Sequence, residues 1–239
     1  GSTLSLTASE VSGATYAWTG PNGFSSSAQN PTVSTSATTA MAGTYSVTAT
    51  VNGCTSSAGT TSVTVNALPV VTCPVAASVC NDAVAFALTG ATPIGGSYTG
   101  TGVSGGIFDP AVAGTGNHTI TYTYTDGNGC TNNCTFTITV RPVVPTPTDA
   151  IATPATICAG GSSSLSVANP TAYNYYWYTG SCGGTLIGSG SPRTVNPTST
   201  TTYFVRGQSK TNSCYSASCA EITVTVNQPS VAPTGISGT

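Results

Sequence analysis

Nine cysteines are the most reactive side chains in this 239-residue chain, and two of them, Cys130 and Cys134, bracket the bend of TYTYTDGNGCTNNCTFTITV at 121 to 140. Thiols in a short chain serve as metal ligands, nucleophiles or disulfides, and their neighbours separate these uses. Zinc asks for CxxC or Cys/His pairs, yet His118 is the single histidine. A nucleophile asks for a base beside it, and that same histidine, in GNHTITYTY entering a strand, is the one imidazole on offer. Disulfides remain. Cys54, Cys73, Cys80, Cys130, Cys134, Cys158, Cys182, Cys214 and Cys219 are therefore expected to be structural sulfurs formed in an oxidising compartment.

Other chemistry is thinly supplied. Glu10, Asp82, Asp109, Asp126, Asp149 and Glu221 are scattered, with no register suited to paired acid and base work. Asp126-Gly127-Asn128-Gly129 opens like a calcium loop but lacks the terminal Glu, and it reads as a tight hairpin turn. TGTGVSGG at 99 to 106 has neither the following helix nor the Lys of a phosphate cradle. No catalytic residue, metal site or cofactor is expected. Among the aromatics, Tyr173, Tyr175 and Trp177 share one strand face, as Tyr16 and Trp18 do, and read as core. Tyr176 and Tyr178 then face the other way, a candidate surface for stacking on a sugar ring or a neighbouring domain.

Charged residues make up 4% of the chain, where about 25% is usual. Ser, Thr, Gly and Asn take their place, an extracellular flavour. A net charge of −2 with four Lys+Arg provides no basic footprint for phosphate backbones or anionic lipid, which argues against nucleic-acid and membrane-surface partners. No run of eighteen apolar residues suggests a membrane span and no leader resembles a signal peptide, so the chain reads as a piece of something longer. Lys210 is the single lysine, although sheet edges are usually defended with such charges. Proline, covalent links or glycans must shield the edges, or else they are used for lateral assembly.

The elements that position the sulfurs repeat. GTYSVTATVNGCTSSAGTTSVTV (43 to 65), TITYTYTDGNGCTNNCTFTITV (119 to 140) and TTYFVRGQSKTNSCYSASCAEITVTV (201 to 226) each run alternating strand, turn, terminal strand. They close on Val65, Val140 and Val226, 75 and 86 residues apart, the size of a small sandwich domain. The starts correspond too: GSTLSLTAS at 1, CNDAVAFALTG at 80 and CAGGSSSLSVAN at 158. Gly1 sits where the other repeats have just passed a cysteine, so a cysteine is expected immediately upstream. APTGISGT at 232 to 239 echoes PTPTDAIAT at 145 to 153. The expected organisation is a repeat at 1–67 truncated at its start, repeats at 68–142 and 143–228, and a linker with the start of a next repeat at 229–239. Prolines in ALPVVTCP and RPVVPTPTDAIATPAT fix φ and favour semi-rigid, extended spacers.

Apolar residues alternate at period two, and no sustained helical period occurs, so the fold class is all-β. Trp18 and Trp177 fall on the second clear strand, with a late Tyr in GTYSV and TTYFV. That order resembles immunoglobulin-like sandwiches and predicts three tandem domains of this kind in an extended array. The second repeat has no Trp, and Tyr98, Phe108, Tyr122 and Tyr124 are expected to close its core.

TGVSGGIFDPAVAGTGNHTITYTYTDGNGC, WYTGSCGGTLIGSG and the CxGxSxxLxV start resemble the tandem Ig-like and PKD-like repeats of giant Bacteroidota surface proteins, over nearly the whole chain. SprB-type gliding adhesins and other cargo of the type IX secretion system carry such repeats. The resemblance implies an extracellular, cell-surface filament or stalk.

Four cysteines in the second repeat, Cys73, Cys80, Cys130 and Cys134, allow three pairings. In an Ig-like sandwich the first strand runs alongside the last, which brings Cys73 towards Cys134, a pairing that also resembles the CP…CTFTVTV pattern of related extracellular repeats. Cys80 and Cys130 fall at opposite ends of a domain. A six-residue strand spans about 20 Å, whereas a disulfide needs Cα atoms within about 7 Å. Two arrangements stay open. Neighbouring repeats are stapled, Cys80 to Cys214 and Cys130 to the cysteine upstream of Gly1; or the bonds stay within repeats, Cys80 to Cys130 and Cys158 to Cys214. For the third repeat, Cys158 with Cys182 and Cys214 with Cys219 is a further option, and Cys54 has no partner in its own repeat.

The function expected from these features is a structural stalk or filament segment of a large extracellular adhesin, with the neighbouring repeats of the same chain as its partners. Two other readings stand beside it. One is a glycan-binding module using Tyr176, Tyr178 and the loops around Gly100 to Gly106; the other is a fibre subunit pairing with further copies through its sheet edges. No enzyme activity is expected.

Overall fold

A computed structural model describes residues 1–230 and Gly235. The expected start of a next repeat therefore lies, beyond residue 230 and apart from that glycine, outside the described residues. The chain is nearly all β. It divides into two compact units: Gly1–Thr72 with Ala91–Ser97 and Tyr122–Cys134, and Cys73–Gly90 with Tyr98–Thr121 and Thr135–Thr239. The hairpin of the second repeat thus belongs to the same unit as the first repeat, while the body of the second repeat belongs with the third.

In the first unit, strand Gly43–Val51 is the spine. Thr15–Thr19 pairs with it antiparallel on one side, and Cys54–Thr55 and Gly59–Val63 pair on the other. A small second sheet joins Leu4–Ser5 to Thr32–Ser34. Alternation places Leu6, Trp18 and Tyr45 inward. Trp18 Nε1 donates to Gln29 O (3.3 Å) and Tyr45 Oη to Met41 O (2.9 Å), so the polar tips of both rings are satisfied.

The second repeat has a sheet in the order Ser97–Thr99, Gly116–Thr125, Thr131–Arg141, Ala77–Cys80. Beside it lies a three-stranded sheet of Val103–Ser104, Ile107–Phe108 and Phe86–Ala87. The core cluster is Leu88, Phe108, Ile120, Phe136, Ile138 and Val140, so aliphatic residues join the expected Phe108 and Tyr98. Phe108 is central, and Tyr98 packs from the side with its ring edge-on to Phe136. Tyr122 is buried, as expected, and its hydroxyl donates to Pro93 O (2.5 Å) and accepts from Gly96 N (2.7 Å); Tyr124 is half-buried.

A single helical turn, Pro110–Ala113, was not foreseen from the periodicity because four residues are too few to show one. Its signal is local: Asp109 Oδ1 accepts from Ala111 N (2.9 Å) and Val112 N (3.3 Å), and Pro110 occupies the first helical position. The glycines of TGTGVSGG do turn work. Gly105 and Gly106, at φ 56 and 78, close the hairpin between Val103–Ser104 and Ile107–Phe108.

The third repeat pairs a three-stranded sheet, Ile151–Thr153, Ser163–Ser166, Arg193–Val195, with a five-stranded one. The latter runs Thr156–Cys158, Ala220–Asn227, Thr201–Gln208, Asn174–Thr179, Thr185–Ser189. Trp177, Leu165, Val205 and Val224 are fully buried between them, and Trp177 Nε1 donates to Gly190 O (2.8 Å).

Candidate functional site at the repeat joints

Cys80 ends strand Ala77–Cys80, which runs parallel to Ile138–Arg141 with Cys80 in register with Arg141. Asn81 follows at once and holds the strand end: its N–H donates to Arg141 O (2.9 Å) and its Nδ2 to Pro110 O (3.2 Å). The thiol therefore projects from a fixed point where the second repeat ends. Cys214 lies in the hairpin after Thr201–Gln208. Ser209 N donates to Cys214 O (2.8 Å), Cys214 N donates to Asn212 Oδ1 (2.9 Å), and Ser213 takes φ 63 to make the bend. Cys80 and Cys214 are bonded to each other, with Cα atoms 5.7 Å apart and 134 residues between them in sequence. This is the inter-repeat pairing named among the open arrangements, and it removes the three within-repeat pairings that used Cys80 or Cys214: Cys80 with Cys130, Cys158 with Cys214, and Cys214 with Cys219.

A second contact reinforces the joint. Asn212 Nδ2, beside Cys214, donates to Pro142 O (3.2 Å) in the RPVVP linker. The first unit contains the counterpart, where Asn132 Nδ2, two residues after Cys130, donates to Pro69 O (2.9 Å) in the LPVVT linker. The same grip of a hairpin amide on a linker proline carbonyl thus occurs once in each unit. Thr146 Oγ1 and Ser218 Oγ, 2.6 Å apart, add a further tie in the second unit. Each linker is thus held at its first proline carbonyl.

Cys182 bonds Cys219, with Cα atoms 5.7 Å apart across 37 residues, a pairing that sequence reasoning missed. Cys182 lies in the turn between Asn174–Thr179 and Thr185–Ser189, and Cys219 precedes Ala220–Asn227. In sheet order, Thr201–Gln208 separates the strands they flank, so neither spacing nor strand adjacency signals the bond. Cys73 and Cys134 are both disulfide-bonded, as the pairing suggested for them requires.

Three of the nine sulfurs have no disulfide partner among the described residues. Cys54 and Cys158 are exposed free thiols, and Cys130 is a half-buried one. Cys54 and Cys130 are hairpin cysteines like Cys214, and Cys158 ends a start strand like Cys80. All three lack a register partner among the described residues.

Elsewhere, the single histidine and the Asp-Gly-Asn-Gly segment are engaged in local hydrogen bonds. His118 Nε2 donates to Gly114 O (2.8 Å). Asp126 Oδ1 accepts from Asn128 N and Cys130 N, both at 2.9 Å, so the Asp-Gly-Asn-Gly segment is a side-chain-closed turn. Among the described residues, no group of three or more His, Cys, Asp or Glu is placed to hold a metal ion, and no helix is long and apolar enough to cross a membrane. Tyr176 and Tyr178 lie on the sheet face opposite Tyr175 and Trp177 and are half-buried. Tyr176 packs against Tyr215 at 5.8 Å and its hydroxyl donates to Gln208 Oε1 (3.1 Å), while Arg206 stands over the Tyr215 ring at 4.9 Å. Burial pushes the Tyr178 phenol up from its usual value, helped by Tyr215 and Tyr176 and opposed by Arg206. The rings form a self-packed cluster beside the Cys80–Cys214 joint.

Residues 142–228 match the family described as Ig-like domain, CHU_C associated, and residues 107–140 match the HYR domain. No curated protein matches the sequence. Solved structures similar to the chain include a Ca2+-stabilised adhesin described as helping an Antarctic bacterium reach out and bind ice. It is 17% identical over 96% of this chain and 70% of that one, with a TM-score of 0.37. An I-band fragment of titin is 10% identical over 95% and 92%, at 0.36, and the insect immune protein hemolin is 10% identical over 95% and 72%, at 0.29. The fold is that of tandem Ig-like β-sandwiches.

Proposed function

We propose that the chain is a stalk segment of a large extracellular bacterial surface adhesin, a stretch of Ig-like repeats that holds a distal part of the protein away from the cell. The single observation that carries the reading is the Cys80–Cys214 bond, which joins the end of one repeat to the hairpin of the next. A binding module has no need of such a bond. A stalk does, because load passing along the backbone would otherwise fall on the linker alone. The Asn212 to Pro142 grip acts in the same sense. Disulfides form outside the reducing cytosol, in keeping with a cell-surface location. Gliding motility and type IX secretion enter through the resemblance of the repeats alone. A glycan-binding role draws no support from Tyr176, whose ring and hydroxyl are taken by Tyr215 and Gln208.

Single-molecule pulling from the two ends tests the proposal. The oxidised chain withholds the 134 residues between Cys80 and Cys214, so reduction should release about 450 Å of further extension at 3.3 to 3.6 Å per residue. Equal extension before and after reduction would show that the bond bears no load. X-ray scattering of the oxidised chain should show a rod with no ligand, whereas tight, selective binding on a glycan array would favour the binding module.

A further inference from the structure

The last strand of the first repeat, Gly59–Val63, is bonded along one edge to Gly43–Val51. Among the described residues its other edge carries no strand, and residues 59–62 are exposed. In the other two repeats that edge is occupied. Ala77–Cys80 lies parallel beside Ile138–Arg141, and Thr156–Cys158 lies parallel beside Thr225–Asn227. Both incoming strands end on a cysteine in register with the residue after the closing valine: Cys80 with Arg141 after Val140, and Cys158 with Asn227 after Val226. In the first repeat the residue after the closing Val65 is Asn66.

An open cleft of about 910 Å³ lies at that place, lined by residues 1–4, 36–39, 63–68 and 129–131. Asn66 and Cys130 face the same space. Cys130 stands to the first repeat as Cys214 stands to the second: it is the hairpin cysteine of the following repeat, two residues from the asparagine that grips the linker proline, although Asn132 follows Cys130 and Asn212 precedes Cys214. Cys214 is already bonded to the cysteine that ends the second repeat's start strand. The vacant edge, the cleft and the free thiol at its end are therefore three parts of one incomplete joint.

We infer that the edge at 63–66 is a strand-acceptor site: a short parallel strand of the start pattern, an apolar residue followed by cysteine, lies along it and its thiol bonds Cys130. The occupant belongs to the repeat array itself, on the segment leading into Gly1. Leu6 stands twelve residues before Trp18 as Leu165 does before Trp177, and Cys158 stands seven before Leu165, which carries the start cysteine to a position just ahead of Gly1. Backbone hydrogen bonds along an open edge supply affinity in this mode of recognition, and the side chains supply register. When the bond forms, two thiols lose two electrons and two protons to a disulfide carrier, which leaves as a dithiol. The same register gives Cys54 the start cysteine of a preceding repeat and Cys158 the hairpin cysteine of a following one. Each free thiol of this chain is then one half of a staple to an adjoining repeat.

The inference builds on the tandem-repeat reading but is tested apart from it. The probe is the synthetic peptide Ala-Ser-Val-Cys, copied from 77–80, with its thiol carried as a mixed disulfide to thiopyridine. The Cys130 thiolate attacks the peptide sulfur, the peptide becomes disulfide-bonded to Cys130, and thiopyridine departs. Mass mapping of the intact chain should find Cys130 labelled at least tenfold faster than Cys54 or Cys158, although both of those are more exposed. Replacing the peptide valine by proline should abolish the preference, since proline cannot complete the ladder. Amide exchange at 63–66 should slow with the first peptide only. Labelling that follows exposure, or equal capture of the two peptides at Cys130, overturns the acceptor site while leaving the stalk reading to its own test. Cys130 preference in a chain that selects glycans does the reverse.

Discussion

Replacing Cys80 and Cys214 by alanine should destabilise the third repeat by about 4 kcal/mol. The figure comes from chain entropy, where a cross-link stabilises by restricting the unfolded loop it closes. The sequence separation of 134 residues overstates that loop, because Cys80 is fixed in the folded second repeat and lies in register with Arg141. When the third repeat alone unfolds, the restricted segment runs from Arg141 to Cys214, 73 residues, for which the entropic estimate is about 4.4 kcal/mol. Equilibrium urea denaturation measures the change. In a Trp18→Phe background, Trp177 fluorescence reports the third repeat alone, and an m-value of about 2 kcal/mol/M converts the loss into a midpoint shift of about 2 M. Removing Cys182 and Cys219, which close 37 residues, provides the internal reference at about 4 kcal/mol. If the first pair is lost without effect while the second costs its expected amount, the inter-repeat bond imposes no constraint and the entropic argument fails.

Three further outcomes follow from particular contacts. Trp177→Ala leaves a cavity at a fully buried site and should cost about 3 to 5 kcal/mol; calorimetry should show the third repeat's transition lost or strongly lowered and the first repeat's unmoved. Gly20→Ala sets a Cβ 2.3 Å from Cδ1 of the fully buried Tyr45 ring, an overpacking cost of about 1 to 3 kcal/mol, read as a lower melting temperature by Trp18 fluorescence. Burial raises the Tyr175 and Tyr203 phenols above their ordinary value, with a smaller contribution from Tyr173 in the first case and partial relief by Thr201 in the second. Their neutral forms therefore contribute stability that is fully present below pH of about 10 and is lost as pH rises through the folded-state values. Tyr203→Phe removes one such proton, so stability should fall less steeply above pH 10 than in the parent chain; identical slopes would contradict the assignment.

The sequence by itself determined the β character of the chain and most of its inward faces. Alternation in FTITV and in YYWYT reports on a single strand, and a strand has one buried side whatever lies opposite, so Phe136, Ile138, Val140, Tyr175 and Trp177 could be placed without a partner in view. The Asp-Gly-Asn-Gly turn was equally local, being closed by the Asp126 side chain. Tertiary structure decided what touches what. Tyr122 was read as core and is buried, but only the tertiary structure shows that its hydroxyl also ties down Pro93 and Gly96. Spacing could present the Cys80–Cys214 staple only as one of several pairings, and it gave no hint of Cys182–Cys219. A disulfide forms only where two Cα atoms come within about 7 Å, and that approach depends on the order of strands in a sheet and the docking of one repeat on the next. No stretch of neighbouring residues encodes either.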